Sequence, residues 1–292
     1  MKVTGTKADE IRFDDESSLD AITRQLPEGW YSTFRTYDSC THVIGLTTHL
    51  KRLPHVDASS LRLNLTQLLK PYRPGEARVR VMETRSREFY ISIEPLKPLP
   101  RQIFERGVRV ETTTIQRRDP RVKSTAFIIA SDAQRKHLAQ EGIFEALLVK
   151  NERILEGMTS NFFYILRAER SEESFLRRAR SKRASTAGLT SIRPSAQRGM
   201  LCTAGRGILP GVTRTMVIRA ARGRGVQVRY RALKLDQIPA VSEAFITSSS
   251  RGIVPVIQID DVPVGQGRVG DVTKILMQAY YEYVLTHAEK IA

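Results

Sequence analysis

The sequence has little of what exported, membrane-spanning or metal-binding proteins require. It contains only two cysteines, Cys40 and Cys202, among 292 residues, which excludes a disulfide framework and a cysteine-based metal site. The longest apolar runs, such as 127–130 and 162–166, are far shorter than the roughly 20 residues that cross a bilayer. The N-terminal stretch contains acids and lacks the apolar centre of a signal peptide. These absences predict a cytoplasmic protein without transmembrane helices.

Acidic residues are also scarce relative to basic ones, 31 against 47, which gives a formal net charge of +16. Residues 167–199 hold nine basic and three acidic residues and so contribute +6, while the other +10 is spread along the chain. No stretch interleaves basic and aromatic residues as RNA-binding sheets do. We therefore expect a solvated basic surface rather than a nucleic-acid interface.

The first half of the chain has the pattern of a small domain. Residues 1–29 are acidic and polar, which predicts a weakly ordered lead-in. Short β-branched and aromatic segments then predict an antiparallel sheet, at 30–37, 77–83, 88–93 and 108–114. A helix is predicted between these strands from the spacing of Leu61, Leu65, Leu68 and Leu69. A polar hinge is predicted at 116–121, and the domain boundary is placed within it, near 118–121, which ends the predicted domain 30–118.

Beyond the hinge, strands and helices continue to alternate. The apolar period of 126–138 predicts one helix that ends at Gly142, a residue suited to a helix C-terminus. Strands are predicted at 145–150, 153–156, 161–166, 226–230 and 244–247, and further helices open at 209–214 and near 273. This mixture predicts a two-domain α/β (α+β) fold with a large domain at 122–292.

An arginine-rich stretch at 167–199 interrupts this alternation. A helix capped at 171–173 could bury only Phe175, Leu176 and Ala179. So little apolar surface cannot offset the conformational entropy lost on ordering. We therefore expect a disordered surface insert, with a small helical subdomain as the alternative.

The common catalytic signatures are also absent. The chain contains no His-Glu-x-x-His, no phosphate-binding Walker loop and no Gly-x-Ser-x-Gly. Instead, Thr213 lies at a predicted helix start and hydroxyl residues at 247–250 follow a predicted strand. Helix N-termini bind phosphate through their free N–H groups. Helix capping and turn formation explain such residues more often than phosphate binding does, so the pattern alone favours the structural interpretation.

Six blocks of the sequence together resemble a known family. They are 33–36, 49–53, Lys123, 155–162, 209–214 and 243–250. The residues of these blocks, their order and their spacing resemble those of the class IV (fold type IV) pyridoxal-phosphate enzymes. The resemblance covers roughly 27–285, except the insert. This family includes branched-chain and D-amino-acid aminotransferases and aminodeoxychorismate lyase. The resemblance implies a homodimer of two-domain α/β subunits that binds pyridoxal 5'-phosphate between the domains.

The resemblance also implies two residues that act on the cofactor. Lys123 matches the lysine that forms a Schiff base with the cofactor aldehyde and moves a proton during the reaction. Glu156 matches the carboxylate that meets the pyridine nitrogen. A carboxylate keeps that nitrogen protonated, which an amide would do less well.

Five further positions match residues that hold the cofactor in this family. The resemblance implies that Arg52, the Val212 and Thr213 amides, the Thr213 hydroxyl and Ser249 bind the phosphate. A guanidinium and a helix N-terminus suit a dianion. Leu209 matches the residue that packs on the face of the cofactor ring.

Some positions depart from the family pattern. Pro54 closely follows Arg52, and Ile128 stands five residues after the lysine, where an aromatic hydroxyl is frequent. Glu94 and Pro95 occupy the strand on which D-amino-acid aminotransferases place a carboxylate-binding arginine. This last departure disfavours a D-amino-acid substrate.

The resemblance therefore favours an aminotransferase that acts on a branched-chain-like amino acid and a 2-keto acid. The alternative is aminodeoxychorismate lyase, which releases pyruvate and 4-aminobenzoate. A third alternative, an inactive structural relative, is disfavoured because Lys123 and Glu156 are both present.

Overall fold

The computed structural model describes residues 2–4, 7–9, 18–166 and 200–291. The predicted insert at 167–199 lies outside the described residues. The helices are α1 (Leu19–Arg24), α2 (Leu46–Leu50), α3 (Ala58–Leu68), α4 (Arg101–Arg106), α5 (Ala126–Ala130), α6 (Asp132–Gln140), α7 (Val212–Gly223) and α8 (Asp271–His287), with short 3₁₀ helices at Lys70–Tyr72 and Leu235–Ala240.

The strands build two large sheets and one small one. They are β1 (Lys2–Thr4), β2 (Lys7–Asp9), β3 (Gly29–Arg35), β4 (His42–Ile44), β5 (Ala77–Thr84), β6 (Phe89–Pro95), β7 (Val108–Thr113), β8 (Glu145–Lys150), β9 (Arg153–Gly157), β10 (Asn161–Leu166), β11 (Leu201–Thr203), β12 (Val228–Tyr230), β13 (Leu233–Lys234), β14 (Val241–Ser248), β15 (Gly252–Ile259), β16 (Val262–Pro263) and β17 (Ala288–Lys290). The small sheet pairs β17 with β4.

The first large sheet is antiparallel, with strand order β2-β1-β6-β5-β3. Because side chains alternate along a strand, Phe34, Val79 and Val81 share one face and pack with the α3 leucines in a buried core. The opposite face presents Arg35 and Arg78 to a cavity. The antiparallel sheet predicted from 30–37, 77–83 and 88–93 is confirmed.

The second large sheet has ten strands, in the order β12-β11-β10-β14-β15-β7-β8-β9-β13, with β16 paired to β15. The prediction that 108–114 joins the first sheet is wrong. β7 lies in the second sheet, parallel to both β15 and β8. Residue periodicity shows that a segment is a strand, but it does not identify the strand's partners.

Helices α7 and α8 cover one face of the second sheet. In α7, buried residues recur three and four positions apart, as in Val212, Met216, Val217 and Ala221. They pack with Phe163, Phe245 and α8 residues such as Leu276 in a common core. This packing fixes the N-terminus of α7 beside Asn161, the first residue of β10, next to the cavity.

Helix α1 lies within the stretch that its polar composition predicts to be a weakly ordered lead-in. Ser18 accepts the N–H of Ala21 as an N-cap, and Leu19 and Ile22 are buried. Asp20 binds Arg80 of the first sheet at 2.7 Å and Arg135 of α6 at 3.0 Å. The expectation of weak order is therefore corrected for residues 19–24.

The helix predicted after Lys123 is two helices, α5 and α6. The helix is interrupted at Ser131, whose hydroxyl donates to the Phe127 carbonyl. Phe127 and Ile128 are the buried residues of α5, whereas Ile129, which belongs to the apolar period of 126–138, is exposed. The predicted C-terminal end of the helix is confirmed, because Gly142 follows α6 with a positive φ of 63°.

Within the described ranges, none of the helices has both the length and the apolar composition needed to cross a membrane.

Candidate active site

A cavity of about 660 Å³ lies between the two large sheets. Its lining includes Tyr31 and Arg78 from the first sheet and Ser248 from the second. All seven residues singled out from the sequence line this one cavity: Arg52, Lys123, Glu156, Leu209, Val212, Thr213 and Ser249.

Lys123 lies in the segment between β7 and α5, where the chain touches the first sheet. Its carbonyl accepts the N–H of Tyr31 at 2.9 Å, and its Nζ lies 4.9 Å from the centre of the Tyr31 ring. Burial lowers the pKa of the Lys123 amine well below its ordinary value, and the positive charges of Arg52 and Arg80 add to the shift. A larger share of this amine is therefore neutral at a given pH than in a surface lysine.

Glu156, near the end of β9, is almost fully buried and held by three donors. Arg117 Nε donates to Oε1 at 3.0 Å, while Asn161 Nδ2 and the Leu209 amide donate to Oε2 at 3.1 and 2.9 Å. Burial raises the pKa of Glu156 to about 7, against the opposing charge of Arg117. The three donors fix the direction in which the carboxylate faces the cavity.

The N-terminus of α7 forms another wall of the cavity. The amides of Val212 and Thr213 open the helix, so they have no carbonyl partner within it. Thr213 Oγ1 lies 3.4 Å from Ser249 Oγ, in the turn that follows β14. Arg52 Nη2 donates to the Pro210 carbonyl at 2.6 Å, which brings the guanidinium to the same end of the cavity.

Pro54 does not disturb the position of Arg52. Helix α2 ends at Leu50, so Arg52 lies in the turn after the helix and Pro54 removes no bond from it. Burial lowers the pKa of Arg52 to about 10, so this guanidinium remains charged at neutral pH.

The cavity lining fits a phosphorylated pyridine cofactor. Ser160 Oγ and Thr247 Oγ1 are buried, line the cavity and have no hydrogen-bond partner within the described chain. The exposed end of α7, a guanidinium and hydroxyl groups suit a phosphate, and the fixed Glu156 carboxylate suits a protonated ring nitrogen. Among the described residues, no group of three or more His, Cys, Asp or Glu side chains could hold a metal ion.

The family model of amino-transferase class IV matches residues 31–259. The chain belongs to the class IV aminotransferase family. It is similar to the branched-chain-amino-acid aminotransferase of Escherichia coli (strain K12), with 37% identity over 73 residues, 25% of this chain and 24% of that enzyme. This match therefore spans about a quarter of the relative's length.

Solved structures of aminotransferases share the fold along most of the chain. The PLP-bound form of a hypothetical aminotransferase from Mycobacterium tuberculosis gives a TM-score of 0.68 at 16% identity, covering 92% of this chain and 93% of that one. The fold IV transaminase CpuTA1 of Curtobacterium pusillum gives 0.64 at 22% identity, with 88% and 86% covered. The predicted fold type IV architecture is confirmed.

The site of this class IV aminotransferase includes residues to which the sequence patterns assign no role. Arg117, predicted only as part of a polar hinge, donates to both Glu156 and the Met158 carbonyl. Asn161 donates to Glu156 and to the Leu209 carbonyl at 2.9 Å. Asn161 stands within the 155–162 motif block, so its place in that block was the available signal.

Gly211 offers a test of whether the α7 end of the cavity binds a phosphate. A Cβ at this position would lie 1.9 Å from Asn161 Oδ1, so Gly211→Ala must displace the start of α7 or the Asn161 amide. We expect the variant to bind pyridoxal phosphate at least about tenfold more weakly, measured by equilibrium dialysis. Gly223→Ala, at the other end of α7 with nothing within 4 Å of its Cβ, should keep the affinity. Equal affinity in the two variants would contradict this account of Gly211.

Proposed function

We propose that this protein is an aminotransferase that moves an amino group between a branched-chain-like amino acid and a 2-keto acid, with pyridoxal 5'-phosphate held at Lys123. One observation supports this most: a lysine of lowered pKa, a fixed carboxylate and an open helix N-terminus line a single cavity. The match to the family model over 31–259 supports the same assignment.

Each wall of the cavity would hold one part of the cofactor. Arg52, the Val212 and Thr213 amides and the Ser249 hydroxyl would bind the phosphate. Leu209 would pack on the ring, and its amide keeps Glu156 in place. When bound, pyridoxal phosphate supplies an electron sink for the substrate Cα.

Lys123 would perform two tasks in this reaction. A neutral amine has a lone pair, so Nζ can bond covalently to the cofactor and can accept or return a proton at the substrate Cα. The lowered pKa favours that neutral form near neutral pH. The surrounding arginines supply the positive charges that contribute to this shift.

Glu156 would hold a proton at the pyridine nitrogen. Its Oε1 and Oε2 already accept from Arg117, Asn161 and Leu209, so the carboxylate needs little reorganisation when a cation approaches. A positive charge beside it would counter the effect of burial and lower its pKa from about 7. Glu156 would then be ionised throughout turnover.

The test is a single half-reaction of the purified protein with pyridoxal phosphate. We expect leucine or glutamate to convert the visible absorbance of the bound cofactor without a second substrate, and a 2-keto acid to restore it. A lyase would release pyruvate from aminodeoxychorismate and show no half-reaction with these amino donors. That second result would overturn the aminotransferase assignment in favour of the lyase.

We also propose that the protein is a homodimer, as the resemblance to its family implies. Sedimentation velocity at micromolar concentration should give the mass of two chains of 33.0 kDa. A single species with the mass of one chain would contradict this proposal.

A further inference from the structure

A buried carboxylate connects two turns of the cavity wall. Glu145, the first residue of β8, is 2% exposed and lies outside the cavity lining. The turn 158–160 joins β9 to β10, and the turn 249–251 joins β14 to β15. Thr159 and Arg251, one from each turn, contact the Glu145 carboxylate, and both line the cavity. One acid therefore holds together two parts of the wall that are far apart in sequence.

Arg251 makes most of the bonds in this contact. Its Nη2 donates to Glu145 Oε2 at 3.1 Å and to Thr159 Oγ1 at 2.5 Å, while its Nε donates to Ser248 Oγ at 3.0 Å. Thr159 Oγ1 donates to Glu145 Oε2 at 2.5 Å. The guanidinium also lies over the Phe144 ring, with its Cζ 5.2 Å from the ring centre. These contacts fix the guanidinium between the two turns.

The turn 158–160 is packed closely on the same acid. A Cβ added at Gly157 would lie 2.0 Å from Ser160 Oγ and 3.2 Å from Glu145 Cγ, so only glycine allows the turn to approach Glu145 this closely. The Gly157 amide donates to the Ser160 carbonyl at 2.9 Å, which closes the turn. The turn 158–160 is therefore a well-packed anchor for Arg251.

The turn 249–251 carries one of the residues assigned to the cofactor phosphate. Ser249 Oγ lies 3.4 Å from Thr213 Oγ1 at the start of α7. Connecting turns move more than the strands that they join, and each side chain that is immobilised on binding loses conformational entropy. A guanidinium that ties this turn to a packed neighbour reduces the entropy that Ser249 loses when it binds a phosphate.

The bond to Ser248 is more than the buried acid requires. A buried carboxylate needs a paired positive charge, and Arg251 provides it through Nη2 alone. A guanidinium has several donors in a fixed plane, whereas a lysine ammonium is a compact point charge. The additional Nε bond acts on the residue next to Ser249, not on Glu145. The contact therefore orients the turn as well as neutralising the acid.

We propose that Arg251, held by Glu145, is a positioning residue that fixes the turn 249–251 so that Ser249 is in place for the cofactor phosphate. The inference rests on the proposed function, which takes pyridoxal phosphate to bind in this cavity. Arg251 acts through Ser249 and not by its own contact with the phosphate. Its effect on binding should therefore require both a phosphate on the ligand and a hydroxyl at Ser249.

The test compares pyridoxal phosphate with pyridoxal, which lacks the phosphate, by equilibrium dialysis against the full chain freed of cofactor. Arg251→Lys keeps a positive charge beside Glu145 but cannot hold Ser248 in the same geometry. We expect about tenfold weaker binding of pyridoxal phosphate and unchanged binding of pyridoxal. Glu145→Gln should give the same selective loss, because a neutral amide holds the guanidinium less firmly.

Arg135→Lys is the matched control. Arg135 also lines the cavity, is 21% exposed against 22% for Arg251, and pairs with Asp20 at 3.0 Å, away from both turns. The Arg135→Lys variant should therefore bind pyridoxal phosphate and pyridoxal as the wild-type protein does. An equal loss of affinity for the two ligands in Arg251→Lys would show a general structural role and would overturn the proposal. So would an unchanged affinity for pyridoxal phosphate in Arg251→Lys.

A Ser249→Ala background separates positioning from direct contact. In that background Arg251→Lys should weaken pyridoxal phosphate binding by less than about twofold, because residues that act as one unit have non-additive effects. A full tenfold loss there would mean that Arg251 contacts the phosphate itself, and the positioning proposal would be wrong. Failure of the proposed function would show separately, as affinities that follow the expected pattern in a holoprotein that transfers no amino group.

Discussion

Lys123→Ala is expected to reduce amino transfer roughly 10⁴-fold or more, because the variant lacks both the covalent attachment and the group that moves the Cα proton. Its fold should remain. Burial, together with the charges of nearby arginines, lowers the pKa of the wild-type amine and disfavours its charged form, so we expect its removal to cost the fold little. Stopped-flow absorbance of the amino-donor half-reaction and a thermal melt measure the two effects.

Lys136→Ala is the matched control for this variant. Lys136 is exposed on α6 and pairs with Asp132 at 3.0 Å, so its loss should leave the rate of the half-reaction and the melting temperature nearly unchanged. A Lys123→Ala protein that transfers amino groups at more than about a tenth of the wild-type rate would show that another residue moves the proton.

Glu156→Gln is expected to slow turnover about 100-fold while the cofactor stays attached to Lys123. A neutral amide holds a proton on the ring nitrogen less strongly than a carboxylate, and loss of one preorganised charge at a reacting group typically costs this much. The glutamine amide would also place an N–H group opposite one of the three donors around Glu156, so one hydrogen bond is lost. A lower melting temperature is therefore expected. Steady-state kinetics and cofactor absorbance separate turnover from cofactor loss.

Glu83→Gln controls for that loss of stability. Glu83 is a buried carboxylate of β5 that accepts from the His55 amide and contacts the His55 ring, outside the cavity lining. The Glu83→Gln variant should have a lower melting temperature without a comparable loss of kcat. If both variants lost kcat equally, the Glu156 effect would be structural and its assigned role at the ring nitrogen would be wrong.

Local sequence patterns predicted the elements that hold the candidate site. The β8–β9 hairpin turns at Asn151 and Glu152, which both have positive φ, and α7 begins directly after Gly211, within the predicted 209–214 block. These features depend on residues close in sequence. Motif spacing is therefore sufficient to place Glu156 and Thr213 at the ends of their elements.

Features that depend on distant partners were not predicted. Helix α1 is only six residues long, and its stability comes partly from Asp20, which pairs with Arg80 of the first sheet. The placement of β7 between β15 and β8 depends on pairing that its own residues do not encode. Alternation along the strands could predict that Arg35 and Arg78 lie on one face of the first sheet, but only the contacts show that Arg78 Nε has no partner among the described residues.

The central claim, that Lys123 holds the cofactor, has a direct measurement. Borohydride reduction of the holoenzyme, followed by proteolysis and mass spectrometry, fixes pyridoxal phosphate to the lysine that carries it. The account predicts one labelled peptide, containing Lys123, and no label on the other 11 of the 12 lysines. Label on a different lysine, or a wild-type protein that takes up no pyridoxal phosphate, would contradict it.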